Sequence, residues 1–135
     1  MLFIDTNIIL RYLTRDDSNK AERVKSLLER AQKNEVVLIT NTAVITELVF
    51  VLSSSRLYNL AKDQVRALLI PIITIKGLKL PYRRSIQRAL DLYAATSIDF
   101  VDALIIAEME RQKITKIVSY DEDFDRVRGI KRVEP

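Results

Sequence analysis

Apolar positions in this chain come in two patterns: short unbroken runs, and stripes recurring every three or four residues. Leu2-Phe3-Ile4 predicts a strand buried on both faces, because a half-exposed strand would alternate apolar with polar residues, and Val36-Val37-Leu38-Ile39 and Lys116-Ile117-Val118-Ser119 predict further buried strands. The stripes predict helices over Ile8 to Leu13 and over Lys20 to Gln32, where Val24, Leu27, Leu28 and Ala31 share a narrow face. Further helices are predicted through about Leu52, from about Leu60 to Ile70, over Arg83 to Ala95 and from about Phe100 to Gln112. Asp17-Ser18-Asn19 and Thr40-Asn41-Thr42 offer caps for the second and third of these. Pro71 is expected to interrupt the fourth. Ile72 to Leu80 should hold a strand or two, with Gly77 as a turn and Pro81 as a stop, and Val127 to Val133 a last short strand.

Strands separated by one or two helices argue for a parallel sheet between helical layers. The expected fold is therefore α/β, a three-layer α/β/α arrangement with a central, mostly parallel sheet of about four or five strands. Residues 1–135 are expected to form one domain, an ordinary size for a chain with its own core.

Composition narrows the chemistry. The chain has no Cys, which removes disulfides, thiolate nucleophiles and cysteine-held zinc. It has no His either, which removes histidine acid–base pairs, Ser-His-Asp triads and histidine metal sites. Any catalysis must come from carboxylates, hydroxyls, Lys, Arg, Tyr or a bound ion. No apolar run nears the roughly 20 residues that span a bilayer. The chain begins on a strand pattern rather than a charged segment and signal-peptide core, so a cytoplasmic location is expected. The net charge of +4 points to an anionic partner such as nucleic acid.

Four carboxylates stand out by position. Asp5 follows the first buried run and precedes a helix, at the edge where open parallel sheets bind ligands. Asp5-Thr6-Asn7 is equally a run of good N-cap residues, and both roles stay open. Glu47 interrupts the most apolar helix, in which only Thr46 and Glu47 are polar between Ala43 and Leu52. It either marks the wet face or serves a site. Asp102 sits in an otherwise apolar helix three residues after Asp99, and Asp121 follows the run ending at Ser119. If these four converge, two carboxylates 4 Å apart repel by roughly 4 kcal/mol at an effective dielectric near 20. The cluster would then need a cation or protonation. Oxygen ligands without His or Cys select Mg²⁺ or Mn²⁺, ions that activate water and offset charge on a phosphate.

Four segments carry a resemblance to the PIN-domain family, most closely to its small ribonucleases of the VapC toxin type. They are Phe3-Ile4-Asp5-Thr6-Asn7, Thr46-Glu47-Leu48, Asp99-Phe100-Val101-Asp102-Ala103-Leu104-Ile105 and Val118-Ser119-Tyr120-Asp121-Glu122-Asp123-Phe124. Each is short, but all four occur in order across the whole chain. The resemblance implies that Asp5, Glu47, Asp102 and Asp121 are a catalytic, metal-binding quartet. Asp99 and Asp123 would be auxiliary, and the choice between Asp121 and Asp123 stays open. Thr6, Asn7 and Ser119 would support the quartet, Asn7 by orienting Asp5. The implied reaction is Mg²⁺- or Mn²⁺-dependent endonucleolytic cleavage of RNA by a metal-bound water, leaving a 5′-phosphate and a 3′-hydroxyl. Implied partners are a second copy in a homodimer and a small antitoxin protein.

Omitting the quartet from the 18 acidic residues leaves 14 against 22 basic ones, so the remaining surface is more basic than the net charge suggests. Arg11 and Arg15 are the first candidates for RNA phosphates; Arg83 and Arg84, beside Tyr82, are the second. A solvated helix face explains each arginine, taken singly, slightly better. Apolar positions around Leu57, Tyr58 and Leu60 and along Ile70 to Ile75 suit either partner contacts or core. A non-catalytic RNA-binding or assembly scaffold of the same fold is the alternative, disfavoured because all four acidic residues are present. Haloacid-dehalogenase-type phosphatases want a second aspartate where Asn7 stands, and structure-specific DNA nucleases need more acidic ligands and more helices.

Overall fold

The computed structural model describes residues 1–135, which form two compact units, Met1–Arg83 and Arg84–Pro135. In the first unit β1 (Leu2–Phe3), β2 (Leu38–Ile39) and β3 (Leu78–Lys79) pair in parallel in that order. Parallel neighbours need long crossovers. Here they are α1 (Thr6–Thr14) with α2 (Ser18–Gln32), then α3 (Thr42–Ser53) with α4 (Lys62–Ile73). α1 packs on α2 and α3, and α3 on α4. Ile9, Leu28, Leu38, Ile45, Leu48, Leu52, Leu69, Ile73 and Leu78 are buried. Gly77 carries the chain into β3 because a Cβ there would meet the Ala31 and Val36 carbonyl oxygens at 2.4 and 2.7 Å.

The register sets Leu2, Leu38 and Leu78 side by side, and Phe3, Ile39 and Lys79 in the next row. Two residues further on, Asp5, Asn41 and Pro81 therefore line one carboxyl edge. Just before that edge the buried Thr40 hydroxyl donates to the Ile4 carbonyl at 3.2 Å, joining β2 to β1 where both strands end.

The second unit holds α5 (Arg83–Ala95, beginning at the last residue of the first unit), α6 (Phe100–Gln112), β4 (Lys116–Val118), a 3-10 helix (Glu122–Arg126) and β5 (Lys131–Val133). β4 and β5 pair in parallel. Arg88 grips Glu110 with two bonds of 2.9 and 3.0 Å, tying α5 to α6, and Tyr93 meets Phe100 edge-to-face at 5.9 Å. Arg132 donates to Asp125, to Glu134 and to the Ser119 carbonyl, fastening β5 to the end of β4 and to the 3-10 helix.

The α/β fold with parallel strands between helices is the expected one, its five strands divided between two ladders. Local expectations differ in the exposure of two strands and in the path at Pro71, and two open ones are settled. Leu2 and Phe3 are 52% and 59% exposed and Val118 is 66% exposed, so the first and fourth strands are not buried on both faces. Each is the terminal strand of its ladder, with one hydrogen-bonded neighbour. Pro71 lies inside α4 rather than ending it. A proline inside a helix costs about 3 kcal/mol through the lost hydrogen bond and the clash of its ring, whereas burying Ile72 and Ile73 past it gains about 1.5–3 kcal/mol each. The Thr74 hydroxyl also closes that last turn on the Ile70 carbonyl at 2.8 Å. Ile72 and Ile73 are consequently helical, leaving only Leu78–Lys79 as strand. Finally, Ile72, Ile73 and Ile75 are core, whereas Leu57 and Tyr58 are exposed.

Candidate metal centre

In the first unit, Asp5 is the N-cap of α1: its Oδ1 accepts the Ile8 amide at 3.1 Å. Neither Thr6 nor Asn7 has that role. Capping engages one oxygen of an exposed carboxylate, so capping and ligand binding are compatible at this residue. Thr6 is 6% exposed and its hydroxyl donates to Glu47 Oε2 at 2.7 Å. The bond reaches from the first turn of α1 to α3, so Glu47 is held by the element that Asp5 starts. Apart from that bond Glu47 stands exposed on α3, whose other positions bury Val44, Ile45, Leu48, Val49 and Leu52. Asn7 is exposed.

In the second unit, ligand oxygens of Asp102, Asp121 and Asp123 lie within 4.8 Å of one another. Each is delivered by a local device. Asp99 caps α6 by accepting the Asp102 amide at 2.9 Å, which fixes Asp102 in the first turn. The Ser119 hydroxyl accepts the Asp121 amide at 3.0 Å, and Asp121 in turn caps the 3-10 helix by accepting the Asp123 amide at 2.9 Å. The carboxylates that sequence left in competition, Asp121 and Asp123, are thus neighbours in one cluster. Asp99 serves it as a cap.

The charge in this cluster is poorly compensated. Burial pushes the Asp102 carboxyl above its ordinary value, and the negative charges of Asp99, Asp121 and Asp123 push it further. On the same helix Glu108 goes the other way, held down at about 2 by hydrogen bonds from Arg111 and Gln112. Arg126 lies 3.7 Å from Asp123 and is also bonded to Ser97. Its i, i+3 spacing from Asp123 was the available sequence signal for that pair. Two unit charges 4.8 Å apart repel by about 1 kcal/mol in water and roughly 3–4 kcal/mol at an effective dielectric of 20. Oxygens on opposite sides of Mg²⁺ at 2.0–2.1 Å are about 4.2 Å apart. The donor set therefore fits a hard divalent ion in both chemistry and spacing.

Of the arginines, Arg15 is exposed and pairs with Glu22 at 3.4 Å, Arg11 is partly buried, and Arg84 is exposed. Arg83 is drawn inward, donating from Nη2 to the Leu78 carbonyl with its Nε buried. A concavity of about 620 Å³ lies between α1, α2 and α4, over Leu13, Leu28, Leu68 and Ile72, and neither Asp5 nor Glu47 lines it. The acidic groups stand open to solvent or nearly so, which suits a polymer substrate better than an enclosed small molecule. No helix is long and apolar enough to cross a membrane.

The family model of the PIN domain matches residues 2–130. Comparison with curated protein sequences gives no match. Among solved structures, the sarcin–ricin-loop-cleaving toxin VapC20 of Mycobacterium tuberculosis is 20% identical, with 100% of both chains covered and a TM-score of 0.40. VapBC2 of Rickettsia felis, solved with a DNA fragment from its promoter, is 15% identical, covering 99% of this chain and 98% of that chain with a TM-score of 0.39.

Proposed function

Because the chain belongs to the PIN-domain family, we propose that it is a divalent-metal-dependent endoribonuclease acting as a single domain, the toxin of a toxin–antitoxin pair. The observation that carries this reading is the cluster of Asp102, Asp121 and Asp123, with Asp102 raised by its like-charged neighbours, in a chain of that family. Asp5, Glu47, Asp102 and Asp121 are the catalytic, metal-binding residues, joined by Asp123, and the ion is Mg²⁺ or Mn²⁺. When bound, such an ion lowers the pKa of water toward neutrality and offsets charge on a phosphate.

The residues of the chain do the remainder. Asp5 is oriented by its own capping bond, which leaves Oδ2 available as a ligand. Thr6 holds Glu47 in one direction by donating to Oε2. Asp99 and Ser119 fix the peptide groups from which Asp102 and Asp121 project. With only carboxylates at the centre, RNA must be drawn in by charge elsewhere. Arg15 and Arg84, both exposed, together with Arg11, are suited to phosphates. The resemblance to VapC-type proteins extends the proposal to a cytoplasmic homodimer restrained by a small antitoxin. Exposed Phe50, Leu57 and Tyr58 offer apolar surface for such contacts.

Incubation of single-stranded RNA with the purified protein and Mg²⁺ or Mn²⁺ tests the reading. Cleavage is expected, reduced at least about 100-fold in Asp5→Asn and in Asp102→Asn with the far-ultraviolet circular dichroism unchanged. A wild-type protein that cleaves no RNA with either ion and binds neither would overturn it.

A further inference from the structure

We infer that Tyr82 is a base-stacking residue that seats a nucleotide of single-stranded RNA close to the phosphate being cut. This deepens the ribonuclease reading and rests on it. The five tyrosines have different surroundings. Tyr93 is buried against Phe100, Tyr58 donates to Asp16 at 2.7 Å, Tyr12 lines the concavity on α1, and Tyr120 precedes Asp121. Tyr82 is 63% exposed and follows β3.

Three features set it apart. The parallel ladder runs on through the Ile4 and Thr40 amides, so Leu80-Pro81 leaves β3 at the same carboxyl edge at which Asp5 leaves β1, two strands away. At 4.7–4.9 Å per strand, that is roughly 10 Å along the same carboxyl edge. Tyr82 also has φ 57°, the left-handed region that a bulky side chain rarely adopts and that Gly or Asn would occupy more easily. The strain is held in place from the next residue, because Arg83 turns back to the Leu78 carbonyl with its Nε buried. Non-glycine residues kept in this region gather where the surroundings fix an unusual side-chain direction for a purpose. Finally, two exposed cations flank it along the chain, Lys79 three residues before and Arg84 two residues after. An aromatic face beside cations is the combination that holds single-stranded nucleic acid, the ring taking a base and the cations the backbone.

The test uses a short single-stranded RNA carrying 2-aminopurine at successive positions, whose fluorescence is quenched when that base stacks. Wild type and Tyr82→Phe should bind alike and quench one position near the cleavage point. Tyr82→Gly keeps the left-handed backbone without the ring. It should bind roughly 5- to 150-fold more weakly and lose that quench, with its thermal midpoint no lower than that of wild type. Tyr82→Gly binding and quenching like wild type would overturn the stacking inference while leaving the ribonuclease reading intact. A wild-type protein that binds no RNA would overturn both.

Discussion

The two units handle their carboxylates in opposite ways. In the first, Asp5 and Glu47 are each given a donor: the Ile8 amide for one, the Thr6 hydroxyl for the other. In the second, Asp102, Asp121 and Asp123 are crowded within 4.8 Å; Asp121 accepts the Asp123 amide, while Asp99 and Ser119 take the amides of Asp102 and Asp121. One region supplies direction and the other supplies charge. Asp102 records the difference, since burial and like charges raise it while Glu108, two turns along the same helix, is pulled down by Arg111. Three like-charged carboxylates gathered at one point, with Arg126 3.7 Å from Asp123 as a partial counter-charge, form a donor set that suits a cation.

Removing direction without charge is the sharpest way to break this comparison. Thr6→Val replaces a buried hydroxyl with a methyl of similar shape and leaves Glu47 in place without its donor. Outer-shell partners of metal ligands are typically worth 10- to 100-fold in affinity or activity. We expect a loss in that range, with Thr6→Ser restoring most of it. Steady-state RNA cleavage and Mn²⁺ titration of the three proteins check this. An unchanged Thr6→Val would mean that the bond to Glu47 is only structural.

Altering charge without direction gives a smaller and pH-dependent effect. Asp102 has a folded value above the ordinary 3.8. The metal-free protein therefore has this group's full contribution below the unfolded value and loses it as pH rises through the raised one. Metal binding runs the opposite way, because the ion competes with the proton on Asp102. Mn²⁺ affinity should fall as pH is lowered, beginning at a higher pH than for an ordinary aspartate. Asp102→Asn should bind the ion more weakly at neutral pH and lack that part of the pH dependence. Isothermal titration across pH measures both.

Much of this was legible in the chain. The strands and helices follow from unbroken and periodic apolar patterns, and without His or Cys the carboxylates were the natural place to look for chemistry. What stayed hidden was three-dimensional competition. Sequence could not say that Asp5 itself, rather than Thr6 or Asn7, would cap α1, because all three are good caps and only the Glu47 partner frees Thr6 from that task. Nor could it separate Asp121 from Asp123, since a turn of 3-10 helix brings both into one cluster. Pro71 misled because the burial of Ile72 and Ile73 outweighs a local rule. Leu2, Phe3 and Val118 misled because apolar runs report strand type but not how many neighbours the strand has.

The central claim, that the carboxylate cluster is a site built to be completed by a divalent ion, is tested most directly by calorimetric unfolding of wild type and Asp102→Asn at neutral pH, with and without Mn²⁺. Without the ion, Asp102→Asn should be the more stable, by about 1 kcal/mol or a few degrees, because it relieves the repulsion. With Mn²⁺ at 100 times its dissociation constant, wild type should gain about 2.7 kcal/mol and the variant much less, so the order reverses. Equal stabilisation of both proteins by Mn²⁺, or a metal-free variant less stable than wild type, would contradict the claim.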